Sequence, residues 1–396
     1  MRIGIVLASP PGYSETFFRS KIKGLQAQGH EVLLLAGQVS ADFKDCPVVF
    51  APNVYAFRPL QMIAMVWQLF VLIIQSPRVV SRFYVLERKS GRSNRQILEN
   101  LYLNAHILPQ QLDWLHFGFA TIALRRENVA EALGAKLAVS IRGYDISLYP
   151  LKFPGCYQLL WQKIDKLHTI SDDLLAVARK EGLLPSTPVQ KITPAIDVTK
   201  FQSGSLISEF DTPVRLLTVA RLHWKKGLEY TLEALALLKE CGIAFRYTIV
   251  GEGKEYERLV FAAHQLGILD WVSFCGKVSH DQIKDYYEQA DIYLQYSIQE
   301  GFCNAVLEAQ AMGLLCVVSD AEGLPENVLH EQTGWVVPRW SPKLLANQIA
   351  DLCKMGIEMR HAISQRALIR VKTEFNIEKQ TKEFAVFYNS PASFSL

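Results

Sequence analysis

The 396 residues exceed what one hydrophobic core ordinarily supports, so the length calls for two domains. With 49% hydrophobic and 20% charged residues the chain is that of a folded protein, and its net charge of +3 is too small for a nucleic-acid binder. Seven cysteines, odd in number and without paired metal-ligand spacing, point to a reducing compartment and away from a disulfide framework or a metal cluster.

The amino terminus, MRIGIVLAS, has one arginine and a short strand-like run, without the long apolar region and cleavage site of a signal peptide. RIGIVLA reads as a buried parallel strand, the turn SPPGYSE follows, TFFRSKIKGLQAQ has helical spacing up to Gly29, and EVLLLAG is a second strand. This is a strand–helix–strand unit. The stretch 59–76, PLQMIAMVWQLFVLIIQS, offers about 13 apolar positions between its glutamines, short of the ~20 that a membrane span needs. It reads as a buried helix, with a helix lying on a lipid surface as the alternative. Arg78, Arg82, Arg88, Lys89, Arg92 and Arg95 follow against Glu87 alone, which keeps contact of 59–97 with anionic headgroups in view. Further strands are expected at 114–118, 136–143, 166–171 and 188–194.

The polar, turn-rich stretch 201–213 reads as a linker, after which the pattern restarts. VRLLTVAR, AFRYTIVG, VSFCG, ADIYLQYS, LLCVVSD and TGWVVP alternate with helical segments near 227–241, 254–266, 280–289 and 303–312. Such alternation predicts two Rossmann-like, doubly wound α/β domains across a cleft, 1–205 and 206–375, with a terminal helix at 376–396 packed back on the first. Ligands of such sheets bind beyond the carboxyl ends of the strands.

EGFCNAVLE, residues 300–308, lies at such an end. Glu300 falls in the loop before a helix and Glu308 in its second turn, ~12 Å apart along the axis at the helical rise. Carboxylates that jointly cut a glycosidic bond stand roughly 5 to 9.5 Å apart, so this pair suits an elongated ligand gripped at two places. Between them a helix amino terminus offers free N–H groups to a phosphate, and Gly301 allows close backbone approach. A plain surface helix with two exposed glutamates fits the stretch equally. TVARLHWKKGLEY adds Arg221 and Lys226 at another strand's carboxyl end, where cations neutralise a diphosphate leaving group.

VARLHWKKG followed by EGFCNAVLEAQAMG resembles the family-4 retaining glycosyltransferases of GT-B fold, the glycosyl transferases group 1. LPENVLHEQTGWVVP, TISDDLLAVARKEG, ITPAIDVTKF, SPPGYSETFF, HFGFA and SIRGYDIS extend the resemblance over nearly the whole chain. The resemblance implies that Arg221 and Lys226 hold a donor diphosphate, that Glu308 takes the ribose hydroxyls and that Glu300 contacts the transferred sugar. Gly301, Phe302, Cys303 and Asn304 would offer backbone amides, Gly12 would reach the phosphates, and Lys277 and Val278 would lie against the nucleobase. Ala220 stands where glycine is usual, and Arg142 where many members carry a histidine near the reacting sugar. Arg142 stays protonated and cannot act as a base, but it can hydrogen-bond the sugar or stabilise phosphate charge. His116 and Asp145 are the other polar candidates facing the acceptor.

The implied reaction is transfer of a sugar, with retention, from a nucleotide-diphosphate sugar to a saccharide or lipid-linked acceptor in polysaccharide or lipopolysaccharide assembly. No Asp-x-Asp pair stands in a loop, so no metal and no cofactor are expected, the two cations acting in their place. The expected setting is cytoplasmic, at the inner face of the membrane. The alternatives are a nucleotide-sugar epimerase or hydrolase of the same fold, or a non-catalytic two-domain sugar-binding protein, against which the amino terminus and the cysteines argue. An NAD enzyme fits poorly, because SPPGYSE has one glycine where the dinucleotide fingerprint needs three, and GEG at 251–253 reads as a turn.

Overall fold

Two parallel sheets organise the chain, seen in a computed structural model that describes residues 1–12, 16–37, 43–202, 210, 212–279 and 281–389. Tyr13–Glu15 of the amino-terminal turn and most of the 201–213 linker lie outside the described residues. The first sheet holds β1 (Arg2–Leu7), β2 (Glu31–Ala36), β3 (Val48–Phe50), β4 (Trp114–Phe117), β5 (Lys136–Ile141), β6 (Lys166–Thr169) and β7 (Val189–Lys191). The second holds β8 (Val214–Val219), β9 (Phe245–Val250), β10 (Val272–Phe274), β11 (Ile292–Gln295), β12 (Leu315–Ser319) and β13 (Trp335–Val337).

Their orders are β3-β2-β1-β4-β5-β6-β7 and β10-β9-β8-β11-β12-β13, parallel at every pairing among the described residues. Each order reverses direction beside its own first strand, at β1/β4 and at β8/β11. Crevices beyond the strand ends at such reversals are where doubly wound sheets bind ligands. The strands read as continuous apolar runs because helices cover both faces, and β12 is buried from end to end. Phe245, Tyr247, Leu232, Leu294 and Ile349 sit in the core of the second sheet, Ile3, Phe18, Leu34 and Phe387 in that of the first.

Helices α1 (Thr16–Ala27), α2 (Arg58–Gln75), α3 (Pro77–Lys89) and α4 (Asn94–Leu103) belong to the first unit. The chain divides at Ile192/Thr193, with Gln380–Leu396 returning to the first unit. This differs from the 205/206 and 375/376 boundaries expected from composition. Chain 193–202 has left the first sheet after β7, and Ile196 bridges Asn376 inside the second unit. The buried-helix reading of 59–76 is corrected more sharply. The run is helical, but of the 18 residues of α2 only Leu72 is buried.

Candidate active site

The site of the second unit grows from its switch point. β8 ends at Val219, and the chain turns through Arg221 into a short helical turn at Trp224–Lys226. His223 Nδ1 accepts from the Lys225 N–H at 3.3 Å, which sets the start of that turn. Gly227 closes it at φ +61°, where an added Cβ would stand 2.1 Å from the Tyr296 carbonyl oxygen. Only glycine lets the backbone come this close to β11. The Ile298 N–H then donates to the Lys225 carbonyl at 2.7 Å and ties the cationic turn to the loop carrying Glu300. GEG at 251–253, expected as a turn, is loop after β9, with the turn following at 254–255, and added Cβ atoms at Gly251 and Gly253 would lie 1.9 and 2.1 Å from the carbonyl oxygens of Ala220 and Leu222. Those glycines let the loop after β9 support the Arg221 turn from below.

Lys226 Nζ forms an ion pair with Glu300 Oε2, both side chains being about one-sixth exposed. Burial opposes the ammonium charge, but Glu300, by its charge and its hydrogen bond, outweighs it and holds the Lys226 pKa above its ordinary value. Ser297 Oγ donates to the same carboxylate at 3.4 Å, and the Glu300 carbonyl accepts from the Gly323 N–H at 3.0 Å. Arg221 is exposed and in no ion pair among the described residues.

Helix Asn304–Ala311 begins directly after Cys303, with no side-chain cap at that residue. Asn327 fixes the entry. Its side chain accepts from the Cys303 N–H at 3.0 Å and donates to the Cys303 carbonyl at 3.1 Å. The Cys303 thiol is pushed up to about 12 by burial and then by Glu300, so it remains protonated at neutral pH. Glu308 is buried one turn into the helix, where Tyr287 Oη donates to its Oε2 at 2.9 Å. Burial raises the Glu308 carboxyl to about 7, with the tyrosine bond pulling the other way. Gly301, Phe302, Asn304 and Glu308 therefore cluster on one loop and helix start, with Lys226 and Glu300 beside them. Lys277 and Val278 follow β10 two strands away, Lys277 reaching Glu252 at 3.6 Å on the surface. Asn327, Tyr287 and the Gly251/Gly253 pair escaped sequence reasoning. The signal for Asn327 was the polar residue just after LPE, in a stretch already singled out.

In the first unit, Gly12 is exposed after β1, and a Cβ there would meet no atom within 4 Å. Arg142 follows β5 with its guanidinium 3.2 Å from the Phe17 ring centroid. The acceptor-facing placement of His116 and Asp145 is corrected. Asp145 is buried, and its carboxylate accepts the N–H groups of Ala120, Arg142 and Gly143, each at 3.0 Å. It builds the loop that carries Arg142.

His116 is fully buried within β4. A chain of hydrogen bonds sets its tautomer. The Ile192 carbonyl can only accept, so His168 Nε2 donates to it at 2.9 Å and His168 Nδ1 accepts from Ser140 Oγ at 2.8 Å. Ser140 Oγ in turn accepts from His116 Nε2 at 2.8 Å, leaving the single lone pair of His116 Nδ1 shared between Lys21 Nζ at 3.1 Å and Tyr388 Oη. Burial, then the Lys21 charge, holds both histidines well below their ordinary pKa, and burial lowers Lys21 too. The network seals the last helix, Ile377–Asn389, onto the first sheet.

Two parallel-sheet α/β domains, one with a cation–carboxylate pair beside a helix start at its switch point, have the architecture of the GT-B fold. The chain belongs to the glycosyl transferases group 1, whose family model matches residues 207–370, and is a glycosyltransferase of GT-B fold. It is 27% identical to the putative colanic acid biosynthesis glycosyltransferase WcaL of Escherichia coli, over 97% of this chain and 98% of that protein. It is 30% identical to the amylovoran biosynthesis glycosyltransferase AmsK of Erwinia amylovora, over 76% of each. Its fold matches Anabaena Alr3699/HepE in complex with UDP-glucose at a TM-score of 0.72 and 18% identity, over 99% of this chain and 100% of that one.

Proposed function

We propose that the protein transfers a sugar from a nucleotide-diphosphate donor, with retention, to a saccharide or lipid-linked acceptor in cell-surface polysaccharide or lipopolysaccharide biosynthesis. The Lys226–Glu300 pair beside the start of helix Asn304–Ala311 is the observation that carries this reading. Arg221 and Lys226 take the diphosphate, with the backbone N–H groups of Gly301–Asn304 completing an anion site. Glu308 accepts the ribose hydroxyls, and Glu300, once Lys226 turns to phosphate, accepts those of the sugar. Lys277 and Val278 flank the nucleobase. Gly12 approaches the phosphates, and Arg142 acts on the sugar or phosphate as a fixed cation.

Departure of the nucleoside diphosphate leaves positive charge on the sugar and negative charge on oxygen. Cations and N–H groups fixed before the reaction stabilise that leaving group, so we assign its charge compensation to Arg221 and Lys226 without a metal or cofactor. The WcaL and AmsK likenesses support exopolysaccharide assembly, and the HepE complex supports a UDP-type donor. All seven cysteines are free, which supports a cytoplasmic setting, and the basic, apolar stretch 59–97 supports an acceptor held at the inner membrane face.

A thermal-shift screen of nucleoside diphosphates tests the reading. One base should raise the melting temperature in a concentration-dependent way, since a ligand stabilises only the state it binds. No shift with any of them would overturn it.

A further inference from the structure

We propose that α2 is a one-leaflet membrane anchor that lies along an anionic bilayer surface with Ile63, Val66, Trp67, Phe70 and Ile73 immersed among the acyl chains. The helix is amphipathic in the inverted sense. Gln61, Gln68 and Gln75 recur every seven residues on the face that includes Leu72, its one buried residue. The opposite face carries the five side chains just named, each more than half exposed. A helix in contact with water turns its polar stripe outward. This one turns Gln61 and Gln68, both partly buried, toward the protein and its largest apolar groups away from it, while Gln75 in its last turn is exposed. Val54 and Phe57, also more than half exposed, continue the patch before the helix begins. Soluble monomers rarely leave so large a contiguous apolar patch uncovered.

Both ends of the helix are fastened to one unit. Before it, β3 pairs with β2, and Tyr102 Oη donates to the Asn53 carbonyl at 2.5 Å. After it, α3 starts at Pro77 and buries Phe83 and Glu87. Eighteen residues span ~27 Å, close to the thickness of a hydrocarbon core, but a crossing would set β3 and α3 on opposite sides of the bilayer. They belong to a single unit, so the helix lies in the interface.

Charge selects the occupant. No acidic residue occurs between Asp45 and Glu87, and Glu87 is wholly buried, accepting from Asn100 at 2.6 Å and Asn128 at 2.7 Å. Arg58 at the start of α2 and Arg78 just past its end are exposed. An anionic leaflet meets both arginines with phosphate. A second copy docked antiparallel by the same helix would set Arg58 against its partner's Arg78, two like charges, which disfavours self-association.

The inference rests on the membrane-side reading of 59–97 and not on the donor site, and the two fail separately. The test is flotation of the full chain with phosphatidylglycerol/phosphatidylcholine vesicles and with phosphatidylcholine alone, beside light scattering without lipid and the nucleotide thermal shift. Wild type should be monomeric and float with the anionic vesicles. Trp67→Glu with Phe70→Glu should weaken binding about a hundredfold or more, and Arg58→Gln with Arg78→Gln about tenfold, with nucleotide shifts unchanged in both. Failure of wild type to float, equal flotation of the glutamate variant, or a dimer that the glutamate variant dissociates would each overturn the proposal. Equal flotation on phosphatidylcholine alone would overturn the choice of an anionic surface.

Discussion

Beside the switch point of the second sheet, Lys226 and Glu300 meet close to solvent, and Glu308 is held in the protonation range of neutral pH. Beside the equivalent point of the first sheet, His116, Ser140 and Lys21 are wholly enclosed and bonded to one another under Tyr388. Apart from the additional β7 of the first sheet the strand order is the same, and the polar groups do opposite things. In the first unit each donor and acceptor of the histidine relay is satisfied internally, so the network fastens the last helix and leaves nothing for a substrate. In the second, Lys226 and Glu300 lie beside a helix start, and Arg221 is exposed and in no ion pair among the described residues. Proximity to a switch point therefore does not make a polar residue functional; an unfilled hydrogen-bonding capacity at the surface does.

Removing one side of this contrast should have a large effect and removing the other a small one. Lys226→Ala takes away the charge that the proposed function sets against the leaving group and should lower kcat/KM by about a hundredfold, measured with the donor that the nucleotide screen selects. Loss below tenfold would mean that Lys226 serves mainly to hold Glu300. Lys21→Met should leave kcat/KM within about twofold, because Lys21 acts inside a structural relay. Its mark is on stability. Burial lowers the folded-state pKa of Lys21, so between that value and 10.5 the unfolded chain binds more protons and wild-type stability rises with pH. Denaturant titrations should show this rise in wild type and a smaller one in Lys21→Met; parallel curves would show that Lys21 keeps its charge in the fold.

Much of this was legible in the sequence. Continuous apolar strands alternating with periodic helices led to two parallel sheets, and EGFCNAVLE with RLHWKKG led to the loop where Lys226 meets Glu300 beside a helix start, because glycines, cations and carboxylates at strand ends follow from local chemistry. The errors have a common origin. His116 and Asp145 looked available because sequence shows a side chain and not what lies over it, and Tyr388, which covers His116, is 272 positions away. Asn327 was missed for the same reason, since its bonds to Cys303 cross 24 positions. The apolar run 59–76 was read as buried because hydrophobicity usually reports burial. Here Gln61 and Gln68, partly buried on the face of Leu72, are the clue, and they become readable only when the packed face is known.

The central claim is that one nucleotide reaches from Glu308 to the Lys226–Glu300 pair. Ribose hydroxyls donate best to an ionised carboxylate, and burial raises the Glu308 carboxyl to about 7. The most direct test is titration of the selected nucleoside diphosphate into wild type and Glu308→Gln between mildly acidic and mildly alkaline pH. Wild-type affinity should fall as pH drops through the neutral range, while Glu308→Gln binds about tenfold more weakly at alkaline pH with a flatter profile. Superimposable profiles of equal affinity would place the ribose elsewhere and contradict the account.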